Sequence, residues 1–118
     1  MKFEFTIGGY PGPFFHLRKV KNQLKCTHTL RDGMDPQFCL ISIKDNERWN
    51  VLMAFLLTRK WEGQYRNDGI LDGTGWDLEV KSEGLHIQTG GSNAYPPGFR
   101  KFLKLLNEVT LEEGLVVY

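Results

Sequence analysis

The chain has 118 residues, of which 41% are hydrophobic and 25% are charged, and it carries 15 Lys and Arg against 14 Asp and Glu. These values are typical of a single globular domain spanning 1–118, and they exclude collagenous, coiled-coil and disordered chains. The net charge of +1 also argues against an extended nucleic-acid surface, which would need a strongly basic balance.

The sequence predicts a cytoplasmic protein without membrane association. The longest apolar run, 51–57, is far shorter than the roughly 20 residues needed to cross a bilayer. Glu4 and the glycines that follow it do not fit a signal peptide. We expect Cys26 and Cys39 to be reduced, buried thiols, because both lie in strand-like apolar patterns.

Four strands are predicted in the first 43 residues of the chain. The apolar residues of 3–7 share one face of the first strand, and the glycines and prolines of 8–13 end it. Further strands are predicted at about 14–20 and 23–30. Residues 38–43 are apolar on both faces except for one serine, as in a strand at the centre of a sheet.

A first helix is predicted next, with Asp45 or Asn46 as its N-cap. It should end near 59–60, since cations favour the negative end of the helix dipole. Its apolar stripe has the spacing i, i+3, i+4, i+7 and consists of Trp49, Leu52, Met53 and Leu56.

The second half of the chain predicts a hairpin and a second helix. Asp-Gly turns at 68–69 and 72–73 precede a hairpin formed by 76–80 and 85–87. A loop at 90–97 then leads into a helix that starts near Pro97. The last four residues form either a short strand or a docked tail. The apolar stripe of the second helix consists of Phe99, Phe102, Leu103, Leu106 and Val109.

The order of these elements predicts an α+β fold. Strands and helices follow one another roughly as β-β-β-β-α-β-β-α, and hairpins require antiparallel pairing. We therefore expect a mainly antiparallel sheet with the two amphipathic helices on one of its faces.

The second half also carries the motifs W-x3-Y-x-N-x2-I-L-D-G-T-x-W-x-L-x-V and G-G-S-N-A-Y-P-P-x-F-x2-F-x2-L-L. In its D-G-T-x-W strand entry and its G-S-N-A-Y-P segment before a closing helix, the chain resembles a group of small, uncharacterised bacterial and phage proteins. The resemblance covers about half of the chain and implies no activity, cofactor or partner. The basic hairpin of 14–31 lies outside it.

Charge is distributed unevenly along the chain. Five cations and no acidic residue lie in 5–31, so that the rest of the chain carries a net charge of −4. This pattern is typical of a solvated hairpin, and it also suits an electropositive arm for a phosphate-bearing ligand or an acidic partner. The candidate binding residues of this arm combine cations with stacking groups: Phe14, His16, Arg18, Lys19 and Lys21.

A second candidate site lies in the 90–97 loop. Two glycines would permit close approach of a ligand to the backbone, and the helix that follows offers free N–H groups to an anion. The alternative is that the same residues only close the loop and start the helix. The candidate binding residues here are Ser92, Asn93, Tyr95 and Arg100.

Catalytic and metal-binding patterns are weak. The sequence has no G-x-S-x-G, P-loop or H-E-x-x-H motif, so we do not expect an enzyme or a cofactor. Cys26, His28, Cys39 and His16 form a conceivable zinc set, but they lack the paired spacing of structural zinc sites. His28 is more typical of a hydrogen-bonded core residue.

Two functional hypotheses follow from these candidates. The first is a non-enzymatic binding protein that sequesters an anionic small molecule of nucleotide type, such as a phage-type sponge for a signalling nucleotide. The second is a protein–protein module, of inhibitor or immunity type, which uses the basic hairpin against an acidic protein. Homo-oligomerisation is a further expectation, because 5–31 is basic whereas 68–83 contains five acidic residues.

Overall fold

Alternating apolar residues form a seven-stranded sheet, with strand order β4-β3-β2-β1-β6-β7-β5. The structure, a computed structural model, describes residues 1–67, 69 and 73–118. The predicted Asp-Gly turns at 68–69 and 72–73 lie partly outside these residues. In chain order the elements are β1 (Lys2–Gly8), β2 (Phe14–Val20), β3 (Gln23–Thr29), β4 (Gln37–Ser42), α1 (Glu47–Leu57), β5 (Gly63–Arg66), β6 (Gly75–Ser82), β7 (Leu85–Ser92), α2 (Phe99–Thr110) and a 3-10 turn (Leu111–Glu113).

The predicted α+β class and mainly antiparallel sheet are confirmed. All neighbouring strands run antiparallel except β5, which was not predicted and pairs in parallel with β7. This strand has only four residues and no clear alternation, so it lacks the periodic signal of the others. No helix in the described part of the chain is both long and apolar enough to span a membrane.

Both helices cover the same face of the sheet, as predicted. Phe3 and Phe5 of β1 are fully buried on this face. The ring of Phe3 meets Trp49 of α1 edge-on at 5.1 Å, and Phe5 meets Phe102 of α2 in the same way at 5.0 Å. Burying each such aromatic side chain contributes about 1.5–3 kcal/mol, so this contact layer is the centre of the core. The opposite face of the sheet is called the open face below.

The helix ends follow local capping chemistry. The Asn46 side chain accepts a hydrogen bond from the Trp49 N–H at 3.1 Å, which identifies Asn46 rather than Asp45 as the N-cap of α1. The helix ends at Leu57, slightly earlier than predicted, because the Thr58 hydroxyl donates to the Phe55 carbonyl at 2.7 Å. Helix α2 begins at Phe99 after Gly98, whose φ of 86° is left-handed, rather than at Pro97.

The C-terminal residues form a docked tail rather than a strand. Val117 is fully buried, and its N–H donates to the Asn107 side chain at 2.6 Å. The Thr110 hydroxyl donates to the Leu115 carbonyl, also at 2.6 Å. These bonds hold the tail against α2 and carry Tyr118 toward the first strands.

The interpretation of 38–43 as a central strand is wrong. Strand β4 forms an edge of the sheet, and Phe38 and Leu40 lie on its open face with 63% and 53% of their surface exposed. Only Cys39 and Ile41, which alternate with them, face the helices. A run of apolar residues predicts a strand, but it does not show whether both faces of that strand are covered.

Candidate functional site

The sheet divides the predicted binding residues between two regions. Phe14, His16 and Arg18 alternate along the open face of β2, and Ser92 lies on the same face at the end of β7. In the sheet register, Gly8 of β1 and Gly75 of β6 separate Phe14 from Ser92. Tyr95 and Arg100 lie on the helix side, where they line a groove beside α2.

The two lysines of the predicted arm do not join either group. Lys19 is partly buried on the helix side of β2, and Lys21 is exposed in the turn after it, with a φ of 56°. Phe14 lies at the other end of β2. The distance from Phe14 to Lys21 along the strand is about 20 Å, since a strand rises by about 3.3 Å per residue. The basic hairpin and the 90–97 segment therefore do not form one site that includes these two lysines.

The open face has a shallow depression of about 370 Å³ near Gly8 and Gly75, which leave space between larger side chains. His16 and Phe14 line it, and the His16 Nε2 atom lies 2.6 Å from Glu4 Oε2. The same carboxylate residue is the cross-strand neighbour of Arg18. Arg18 and His16 of β2 thus both lie beside Glu4, the one acidic residue of β1, and this proximity weakens the positive potential that the sequence predicted.

The neighbouring strand extends this acidic character. Asp77 and Glu79 of β6 share the open face, and Glu79 forms an ion pair with Lys2. That ion pair lowers the pKa of Glu79 and raises the pKa of Lys2. The charged residues of the open face are cations on β2 and β3, whereas β1 and β6 carry Glu4, Asp77 and Glu79 together with Lys2 and Lys81.

A larger groove of about 510 Å³ lies beside the start of α2 and is called the α2 groove. Tyr95 is its most exposed aromatic residue, and its ring packs at a tilt on Phe99 at 4.9 Å and stacks on Trp76 at 6.4 Å. The Trp76 indole N–H donates to the Ala94 carbonyl at 2.9 Å, which holds the backbone beside Tyr95. The groove is lined by Ile7, Thr74, Tyr95, Pro96, Gly98, Phe99, Arg100, Leu103 and Tyr118.

Electrostatics at this end of α2 favour an anion. The first turn of the helix has no acidic residue, and Gly98 at the N-cap offers no side-chain acceptor. Arg100 adds a full positive charge to the positive end of the helix dipole. The groove therefore combines an aromatic wall with Arg100 and the positive end of a helix that has no acidic residue in its first turn.

Tyr118 is a groove residue that the sequence did not predict. Its hydroxyl donates to the Pro13 carbonyl at 2.9 Å, and its ring meets Phe15 edge-on at 5.5 Å. A hydrogen bond between residues 105 positions apart leaves no periodic signal in the sequence. The sequence shows that Tyr118 is aromatic, but its place in the α2 groove depends on how the C-terminal tail docks.

The space beside the glycines of the 90–97 segment is filled by other residues of the same chain. Gly90 and Gly91 belong to β7 rather than to a loop. A Cβ atom at Gly90 would lie 2.5 Å from Asp77 Oδ1, and one at Gly91 would meet the Trp76 indole nitrogen and lie 2.5 Å from the Ala94 carbonyl oxygen. Close approach is required here, as predicted, but the approaching groups are side chains and backbone of the same chain.

The cysteines have the properties of inert thiols. Cys26 and Cys39 face each other across β3 and β4 as free cysteines, with Cys26 buried and Cys39 partly buried. Burial raises the pKa of both thiols, so the reactive thiolate is scarce at neutral pH. His28 stacks on Phe15 at 4.6 Å, whereas His16 lies on the opposite face of the sheet.

The residues of the described ranges contain no cluster of three or more His, Cys, Asp or Glu that could hold a metal ion. Comparison of the chain with family models, with curated proteins and with solved structures gave no match. The resemblance to the group of bacterial and phage proteins therefore stays a prediction. The α2 groove and the open face are the two surfaces that carry the predicted binding residues other than the two lysines and Asn93.

Proposed function

We propose that the protein is a non-enzymatic binding domain that sequesters an anionic small molecule in the α2 groove. The observation that carries this proposal is the position of Tyr95 and Arg100 in one groove at the positive end of α2. An aromatic face binds a planar ring, and a guanidinium binds phosphate through two parallel hydrogen bonds. The ligand class that needs both is a nucleotide.

Preorganisation of the aromatic wall supports the same proposal. Tyr95 keeps 45% of its surface exposed, while the rings of Trp76 and Phe99 pack against it. A ring already held in position loses little conformational entropy when a base stacks on it. The groove volume of about 510 Å³ also lies within the range of about 300–1,000 Å³ that is usual for small-molecule sites.

A domain of this size could act by mass action alone. It would lower the free concentration of its ligand without converting it, as a sponge for a signalling nucleotide does. The absence of a recognisable catalytic motif in the sequence favours such a role over turnover. A sponge needs only affinity and abundance, so one groove per chain is sufficient.

Isothermal titration calorimetry with ADP, cyclic AMP and cyclic di-GMP tests the proposal. At least one of these probes should bind, and Arg100→Glu should weaken it at least tenfold, because it reverses the charge in the groove. Lys101→Glu is the matched control, since Lys101 is exposed in the same helical turn but does not line the groove. Its affinity should stay within about threefold of wild type, because an exposed charge interacts weakly through water.

Two results would overturn the proposal. One is the absence of binding by all probes at millimolar concentration. The other is Arg100→Glu protein that binds as tightly as wild type. A variant in which the charges of Arg18, Lys19 and Lys21 are all reversed should bind the ligand as wild type does. Loss of binding in that variant would indicate that the ligand binds at the basic hairpin.

The alternative is a protein–protein module of inhibitor or immunity type. The open face supports it, because Arg18 is exposed there and Lys25 lies over the exposed ring of Phe38 at 5.6 Å. This combination of cations and apolar surface would suit an acidic protein partner. Co-purification of a defined acidic protein that is lost on reversal of Arg18, with no effect of nucleotides, would favour this alternative.

A further inference from the structure

The outer side of β4 presents unpaired backbone groups. The Ile43 N–H donates to the Asn22 carbonyl at 3.0 Å, on the side of β3. Backbone groups alternate in direction along a strand, so those of Phe38, Leu40 and Ser42 point away from β3. No segment in the described part of the chain pairs with them, because β4 ends the strand order of the sheet.

This edge lacks the features that normally prevent strand pairing. Native edges are kept short, charged or interrupted by proline, and a long apolar edge promotes association. Strand β4 has six residues, Gln-Phe-Cys-Leu-Ile-Ser, with no charge and no proline. The opposite edge, β5, has only four residues and includes Arg66. The two edges of the sheet therefore differ in the way expected if β4 receives a strand and β5 does not.

From these features we infer that β4 pairs antiparallel with β4 of a second copy of this chain and joins the two sheets into one. An uncharged strand does not repel its own copy, which makes self-pairing favourable here. Pairing must keep side chains of the open face together, since a shift by one residue would move them to the other face. The register that best matches apolar groups places Phe38 of one copy opposite Leu40 of the other.

That register also has complementary ends. Asp35 precedes β4 and Lys44 follows it, and both are exposed. In an antiparallel pair, the start of one strand meets the end of the other, so Asp35 lies near Lys44 of the second copy. At the two-fold axis, Cys39 meets Cys39 of the second copy on the helix side of the sheet.

The helix side of β4 adds surface to this contact. A groove of about 490 Å³ borders Phe38 and Cys39 and extends to the docked tail at Val116, which is 63% exposed. A single strand pair nevertheless buries less than the roughly 1,200–2,000 Å² of a standard interface. The dimer should therefore be weak and should depend on protein concentration.

Sedimentation equilibrium of the full chain between 1 µM and 1 mM tests the pairing. Wild type should change from monomer to dimer within this range, and Leu40→Lys should raise the dissociation constant at least tenfold. Leu57→Lys is the control, because Leu57 is equally apolar and 60% exposed but lies on α1. It should dimerise within twofold of wild type. Wild type that stays monomeric at 1 mM, or Leu40→Lys that dimerises normally, would overturn the inference.

A crosslinking experiment tests the register. In a Cys26→Ser variant at pH 9.5, where the thiolate of Cys39 is more abundant, copper phenanthroline should oxidise two Cys39 thiols to one disulfide, with two protons released and two electrons passed to two Cu(II) ions. The covalent dimer should form faster in Cys26→Ser than in the same variant with Leu40→Lys added. No covalent dimer, in protein that sediments as a dimer, would refute the placement of Cys39 at the two-fold axis.

Discussion

Replacement of Gly91 by alanine tests whether the double glycine of β7 serves the protein or a ligand. The added methyl group would meet the Trp76 indole nitrogen and lie 2.5 Å from the Ala94 carbonyl oxygen and 2.9 Å from that of Tyr65. Two of these neighbours are backbone atoms of separate segments, so they cannot move aside cheaply. Either the indole shifts and loses its 2.9 Å hydrogen bond to Ala94, or the strand is displaced.

Both consequences have known costs. A buried donor left without its partner costs about 1–3 kcal/mol, and overpacking a core also costs about 1–3 kcal/mol. Whichever adjustment occurs, we expect Gly91→Ala to lower the free energy of unfolding by about 1–3 kcal/mol. With a urea m-value of about 1.5 kcal/mol/M, the midpoint should fall by about 1–2 M.

Gly75→Ala is the matched control in the adjacent strand. Its added Cβ would lie 3.8 Å from the nearest atom outside its chain neighbours, which is ordinary contact distance. Because alanine restricts the unfolded chain more than glycine, this variant should be unchanged or up to about 1 kcal/mol more stable. Urea unfolding followed by far-ultraviolet circular dichroism measures both variants. If Gly91→Ala unfolded within 0.5 kcal/mol of Gly75→Ala, the packing explanation of Gly91 would be refuted.

Three further predictions concern the core, a helix cap and the thiols. Phe102→Ala should cost about 3–5 kcal/mol in urea unfolding, because this fully buried ring contacts Phe5 at the centre of the core; a loss below 1.5 kcal/mol would contradict that position. Asn46→Ala should cost about 1 kcal/mol by removing the α1 N-cap, and an unchanged melting curve would show that the cap contributes nothing. Iodoacetamide should alkylate Cys39 more slowly than glutathione at pH 7, and the rate should keep rising above pH 9. The reason is that burial raises the thiol pKa and so reduces the thiolate fraction at any lower pH; a rate equal to that of glutathione would contradict this shift.

Short-range patterns in the sequence predicted both α-helices and every strand of the described residues except β5. Period-two alternation predicted strands β1, β3, β6 and β7, and a period near 3.6 predicted both helices. These patterns are visible in the sequence because each strand or helix buries one face, so apolar residues recur at a fixed spacing. Strand β5 has only four residues and Gly90–Gly91 has no side chains, so neither produced such a signal.

The candidate sites depended on contacts that sequence patterns do not encode. The sequence shows an excess of cations in 5–31, but only the strand register shows that Arg18 lies beside Glu4. Likewise, Tyr95 and Arg100 were predicted together, whereas Tyr118 joined them only through the docked tail. A charge or ring acts through its neighbours in space, and most of those neighbours are distant in the chain.

By itself, the sequence determined the α+β class, the two amphipathic helices and the antiparallel hairpins, because each depends on the local spacing of apolar residues. Only the tertiary structure decided which strands form the edges of the sheet and which polar residues share a groove. It placed the apolar β4 at an edge and separated Lys21 from Arg100. The physical reason is that strand order is set by long-range pairing, and one strand can pair equally well at the centre or at the edge of a sheet.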